Sequence, residues 1–109
     1  MGGYEKQLRQ CIAGTYGNWA LLQLPSGQWA GIWRAALGVE DMCEAIVKGT
    51  WFHDGNPSFS DRIGALEFIV KGIEREILNT RNPADKDSLR PFLQSACTAL
   101  SRHLAKEMR

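Results

Sequence analysis

The adjacent residues His53 and Asp54 form the most suggestive pair of catalytic side-chain types in the chain. A histidine next to a carboxylate can help to hold a divalent metal, but a metal ion needs several converging ligands. The sequence contains only one other histidine, His103. We therefore predict no metal site at this position and interpret Asp54-Gly55 as part of a turn.

Three cysteines, Cys11, Cys43 and Cys97, are the candidate nucleophiles. A reactive thiolate needs an electropositive, partly exposed setting, whereas each of these cysteines falls at an apolar position of a helical pattern. Their odd number and wide spacing also disfavour a disulfide framework. We expect reduced thiols, a cytoplasmic protein and no catalytic residue among them.

Sequence motifs for cofactor chemistry are absent from the chain. It contains no Gly-x-Gly-x-x-Gly or Walker-type loop that could cradle a phosphate, and no Gly-x-Ser-x-Gly elbow. We expect no cofactor, and we consider a binding role more consistent with the sequence than an enzymatic one.

The composition predicts an ordinary globular protein with one domain over residues 1–109. Of its residues, 44% are apolar and 23% are charged, and the net charge is +1. A nearly neutral chain has no general attraction for nucleic acid or for anionic lipid. No segment approaches the ~20 apolar residues that span a bilayer, so we expect no membrane association.

Four tryptophans are an unusual number for so short a chain, and they supply our candidate binding residues. Tryptophan is enriched at binding hot spots because it buries a large area and carries a hydrogen-bond donor. Single-stranded nucleic acid could stack on such rings but would need interleaved cations, and the hairpin offers only Arg34. The candidate site comprises Trp19, Trp29, Gly31, Trp33, Trp51, Phe52, His53 and Asp54.

A β-hairpin is expected to position three of the tryptophans. Two apolar and aromatic runs, 18–24 and 28–33, flank Pro25-Ser26-Gly27, where proline presets one φ angle and glycine supplies a positive one. Strand alternation places Trp29, Gly31 and Trp33 on one face of the second strand, so Gly31 leaves a shallow slot between two rings.

Helices are expected before and after this hairpin in the sequence. Residues 4–13 have helical spacing before Gly14, and three longer apolar stripes follow the hairpin. The stripes are Val39, Met42, Cys43, Ile46 and Val47; Ile63, Leu66, Ile69, Val70, Ile73 and Ile77; and Leu89, Phe92, Leu93, Ala96, Cys97, Leu100 and Leu104.

The elements together predict an α+β fold with an N-terminal helix, an antiparallel hairpin and three helices packed on one face of the small sheet. Trp51-Phe52-His53 could form a third strand, although Asp54-Gly55-Asn56-Pro57 favours a loop. Because both faces of the hairpin carry large apolar groups, we expect its second face to remain available as a contact surface.

The preferred function is therefore a non-enzymatic protein-interaction module. It would use the tryptophan-rich hairpin surface to bind either a different protein or a second copy of itself. The first alternative is a small-molecule-binding protein or minor enzyme, with a pocket between hairpin and helices lined by Trp33, Trp51, Phe52 and His53, and with Asp54 as a further candidate. A further alternative is an inhibitor or immunity protein of a mobile element.

Overall fold

The computed structural model describes residues 3–107, which form an α+β fold, as the sequence predicts. The elements in chain order are α1 (Gly3–Arg9), β1 (Ile12–Tyr16), β2 (Trp19–Gln23), β3 (Trp29–Trp33), a 3-10 helix (Arg34–Gly38), α2 (Glu40–Lys48), α3 (Arg62–Asn79) and α4 (Pro83–Glu107). None of the helices in this part of the chain is long and apolar enough to cross a membrane.

The predicted hairpin is confirmed as β2 and β3. They pair antiparallel from Trp19↔Trp33 to Gln23↔Trp29. The Gly27 amide donates to the Leu24 carbonyl oxygen at 2.8 Å, and Gly27 has a φ of +92°. The proline and glycine of the turn therefore have the roles that their backbone preferences predict.

The third strand is β1, and it was not expected. Helix α1 ends at Arg9, and β1 then pairs antiparallel with β2 to give the order β1-β2-β3. Gly17, with a φ of +63°, opens the two-residue turn between β1 and β2. Trp51-Phe52-His53 forms no strand; its one ladder contact is the isolated bridge between His53 and Asn56.

Helices cover both faces of the sheet, which corrects the prediction that they pack on one face. Leu22 and Ile32 lie in a core formed with α1, the 3-10 helix and α2, while Trp19 and Leu21 lie in a second core formed with α3 and α4. The reason lies in β2, whose side chains from Trp19 to Leu22 are all buried. Apolar side chains that alternate between two faces require cover on both.

The segment between α2 and α3 carries the chain from one face to the other. On its way it passes the outer edge of β3, where the backbones of Phe59 and Trp29 exchange two hydrogen bonds of 2.7 Å. This bridge satisfies edge groups of β3 and fixes the point from which α3 starts.

The last two helices begin in different ways. Helix α3 is capped by Asp61, whose Oδ1 accepts from the Gly64 amide at 2.9 Å. Helix α4 begins at Pro83, and Pro91 lies inside it.

Candidate functional site

Trp19 and Trp33 form a cross-strand pair at one end of the β2–β3 ladder. Their ring centroids are 4.8 Å apart, with an interplanar angle of 33°. Trp19 is 6% exposed, whereas Trp33 is 43% exposed. The buried indole therefore supports a second indole that faces solvent.

Glu76 on α3 fixes the orientation of the buried ring. Trp19 Nε1 donates to Glu76 Oε1 at 2.7 Å, and Asn18 Nδ2 donates to Glu76 Oε2 at 3.1 Å. Phe68 adds an edge-on contact with a centroid distance of 5.8 Å. Trp19 is therefore held by Trp33, by Phe68 and by the Glu76 carboxylate. The hydrogen bond to Glu76 is stronger than a bond between neutral groups because its acceptor is charged.

Gly72 allows α3 to come this close to the sheet. A Cβ atom at Gly72 would lie 2.5 Å from Trp19 Cζ2, which is well inside van der Waals contact. The absence of a side chain at this position leaves room for the indole. A glycine in the middle of a helix has a cost in helix propensity, and here close packing explains it.

A hollow of about 390 Å³ opens beside the tryptophan pair, between β2, β3 and the second half of α3. We call it the Trp33 hollow. The Glu76 carboxylate in it already accepts two hydrogen bonds, whereas Arg75 forms no ion pair within residues 3–107. The hollow is lined by Trp19, Trp33, Gly72, Arg75, Glu76, Asn79 and Thr80.

Neither Trp29 nor Gly31 takes part in an open surface, although both share a strand face with Trp33. Ile69 of α3 fills the slot at Gly31, where a Cβ atom would lie 2.6 Å from Ile69 Cγ1. Trp29 is buried, and the Arg62 guanidinium lies 4.5 Å from its ring centroid. These two predicted site residues are part of the core.

A second polar contact lies behind Trp29. Arg62 Nη1 is 3.2 Å from His103 Nε2 on α4, and Arg62 Nε is buried without a hydrogen-bond partner in the described part of the chain. Partial burial, followed by the nearby charges of Arg62 and Lys106, lowers the pKa of His103. Neutral His103 is therefore the form that suits the folded protein.

The other predicted site residues lie on the far side of the sheet. Trp51 and Phe52 pack against the core formed with α1 and α2. His53 and Asp54 are exposed in a tight turn, where His53 Nδ1 accepts from the Gly55 amide at 3.1 Å. A pocket lined by both Trp33 and Trp51 is thus not formed; a smaller hollow beside the hairpin turn includes Phe52 alone of the predicted set.

Burial disfavours two of the candidate thiols, Cys43 and Cys11, as nucleophiles. Burial, followed by the charges of Glu40 and Glu5, raises the pKa of Cys43, and burial raises the pKa of Cys11. A raised pKa disfavours the thiolate that a nucleophile needs. Within residues 3–107, no three His, Cys, Asp or Glu side chains converge as metal ligands.

Comparison with known proteins gives no match, either to a protein family, to a curated protein or to a solved structure. The Trp33 hollow must therefore be interpreted from its own contacts.

Sequence reasoning found the two rings of the hollow but missed Arg75 and Glu76. On the helical pattern of α3 these residues look like ordinary solvent-facing charges. The available signal was Gly72, because an isolated glycine within a helical pattern often marks a close approach of another element.

Proposed function

We propose that the chain is a protein-interaction module that binds its partner at the Trp33 hollow. The observation that carries the proposal is a 43% exposed indole held in place by a buried, hydrogen-bonded one. A side chain that is already ordered loses less conformational entropy when a partner covers it, so more of the contact energy appears as affinity.

The residue types around the hollow support a protein partner. Trp33 and Arg75 belong to residue types that are enriched at protein hot spots, and they stand beside the polar groups of Asn79 and Thr80. Nucleic acid would need several cations along the surface, and among residues 3–107 Arg75 is the one cation that lines this hollow. The partner can be a different protein or a second copy of this chain.

A small-molecule ligand is the second candidate. The volume of about 390 Å³ lies within the range of ligand sites, and the hollow lies between the hairpin and a helix. A thermal-shift screen with metabolites and nucleotides distinguishes this candidate: a stabilising compound whose effect disappears in Trp33→Ala supports it.

The test of the protein proposal combines the Trp33→Ala variant with a matched control. Leu78 is 80% exposed on α3 and does not line the hollow, so Leu78→Ala removes exposed apolar surface elsewhere. A photoreactive residue in place of Asn79 should give a discrete cross-linked product in the native cell, and sedimentation should show whether that partner is a second copy.

We expect Trp33→Ala to remain folded by circular dichroism and to lose the product, because truncation of a hot-spot residue costs about 2 kcal/mol or more of binding. Leu78→Ala should retain it. If folded Trp33→Ala gives the same product at the same yield, or if Leu78→Ala loses it equally, the hollow is not the contact site.

A further inference from the structure

A groove with a volume of about 480 Å³ lies at the β1 edge of the sheet, away from the Trp33 hollow. It is formed between Tyr16 of β1 and one side of α4. We call it the β1–α4 groove. The Tyr16 ring lies over Gly14 on the α4 side of the sheet, since a Cβ atom at Gly14 would be 3.0 Å from Tyr16 Oη. The α4 residues that line the groove are Pro91, Gln94, Ser95, Thr98, Ala99 and Arg102.

The backbone of β1 has a free side. In the order β1-β2-β3, β1 pairs only with β2 within residues 3–107, whereas the outer edge of β3 is bridged at Trp29 by Phe59. Edge strands are commonly protected by charged residues or proline, and Ile12–Tyr16 contains neither. A bulge between Ile12 and Gly14 interrupts only the start of the strand.

The register identifies the groups that face outward. The backbone groups of odd-numbered residues of β2 bond towards β1: the Gln23 amide donates to the Cys11 carbonyl oxygen at 3.1 Å. Those of even-numbered residues in and next to β2 bond towards β3: the Asn18 carbonyl oxygen accepts from the Arg34 amide at 2.8 Å. Thr15 pairs with Ala20, an even-numbered residue, so the N–H and C=O of Thr15 point away from β2.

Four of the side chains that α4 contributes to the groove are polar, and they have spare hydrogen-bonding capacity. Within the described residues, Gln94, Ser95 and Thr98 make no side-chain hydrogen bond to protein, and Arg102 forms no ion pair. Among residues 3–107, no acidic side chain lines the groove. The positive charge of Arg102 therefore complements a carboxylate.

We propose that the β1–α4 groove binds an extended peptide segment that adds a fourth strand beside β1 and pairs a carboxylate with Arg102. The main-chain groups of Thr15 would supply the strand hydrogen bonds, and the polar side of α4 would contact alternate side chains of the peptide. Strand addition at an edge derives affinity from main-chain bonds and specificity from neighbouring pockets. This site is separate from the Trp33 hollow, which lies at the β3 side of the sheet.

The probe is a displayed library of octapeptides, from which enriched sequences are synthesised with their acidic residues intact or replaced by amides. Thr15→Pro removes the outward N–H without touching the β1–β2 ladder, and proline is tolerated at such an edge position. Thr15→Ala, the matched control, keeps the N–H. Arg102→Gln removes the charge.

We expect enriched peptides to contain a carboxylate and to lose affinity about tenfold or more with Thr15→Pro and with Arg102→Gln. The first change removes a main-chain donor, and the second removes the charge that pairs with the carboxylate. Thr15→Ala and Trp33→Ala should bind as the wild type does. A further measurement does not depend on the folding of a variant. N-methylation of the alternate peptide amides that would bond to β1 should also abolish binding.

The proposal is overturned if no peptide is enriched, if N-methylated and unmodified peptides bind equally, or if folded Thr15→Pro and Arg102→Gln bind normally. It is also overturned if Thr15→Pro converts a dimer to a monomer in sedimentation, since the edge then belongs to a second copy. Loss of binding in Trp33→Ala would show that the peptides bind the hollow instead.

Discussion

Replacement of Gly72 by alanine tests the contact between α3 and Trp19 on which the Trp33 hollow depends. In an ordinary helix this change stabilises the protein by about 1 kcal/mol, because alanine has the better helix propensity. At Gly72 the new methyl group would lie 2.5 Å from Cζ2, 2.9 Å from Cε2 and 3.0 Å from Cη2 of Trp19. The indole would have to move by roughly 1 Å to restore normal contact distances.

The cost of that movement follows from what holds the ring. Overpacking in a well-packed core costs about 1–3 kcal/mol. A 1 Å shift also breaks the 2.7 Å hydrogen bond to Glu76, and bonds to charged groups contribute about 1.5–3 kcal/mol. After subtraction of the gain in helix propensity the net cost is about 1.5–5 kcal/mol, and we expect Gly72→Ala to lower the free energy of unfolding by a value near the middle of this range, about 2–4 kcal/mol.

Urea unfolding followed by circular dichroism measures this effect. With a dependence of about 2 kcal/mol per molar urea, the midpoint should fall by roughly 1–2 M. Lys71→Ala, at the exposed neighbouring position, is the control and should change stability by less than about 0.5 kcal/mol.

A double-mutant cycle then identifies the ring as the cause. Trp19→Phe removes the far end of the indole together with its Nε1 donor, so Gly72→Ala in that background should be neutral or stabilising. The coupling should be at least about 2 kcal/mol. If Gly72→Ala stabilises the wild-type protein, or if its cost is the same with phenylalanine at position 19, the contact described here is wrong.

Two further predictions concern the last two helices. Asp61→Ala should lower the free energy of unfolding by about 1 kcal/mol in urea titration because the cap on the Gly64 amide is lost, while Ser60→Ala should have no effect; equal effects would contradict the assignment of the cap. The lowered pKa of His103 means that the unfolded chain binds its proton more readily, so stability should decrease as the pH falls from 7.5 through about 6.5 towards 5.5. His103→Gln should reduce this decrease; an unchanged pH dependence in that variant would contradict the lowered pKa of His103.

The parts of the fold that local chemistry determines were predictable. The β2–β3 hairpin follows from a proline and a glycine at positions where a turn needs their backbone angles. Strand β1 was missed because Leu8, Cys11 and Ile12 also fit a helical spacing. Its strand conformation depends on pairing with β2, a contact that periodicity does not detect, although Gly17-Asn18 is a turn signal.

The cover of the sheet was not predictable from periodicity alone. The pattern assigns side chains to faces, but it does not say which helix reaches which face or how far along a strand that helix extends. The chain between α2 and α3 crosses the β3 edge at Phe59, and α3 then seats Ile69 on Gly31. Trp29 and Gly31 are buried as a result, while Trp33 on the same strand face stays partly exposed.

This arrangement determines where the protein can contact other molecules. A sheet with helices on both faces has only its edges and strand ends left for contact. In this protein the β3 edge and the β1 edge offer different chemical groups. At the β3 side, Phe59 bridges the backbone at Trp29, and the proposed contact surface is the exposed side chain of Trp33. At the β1 side, the N–H and C=O of Thr15 have no backbone partner among residues 3–107, and polar side chains of α4 line the neighbouring groove. The two proposed sites therefore use different groups, a side chain at Trp33 and the main chain at Thr15, and substitutions at these residues can test them independently.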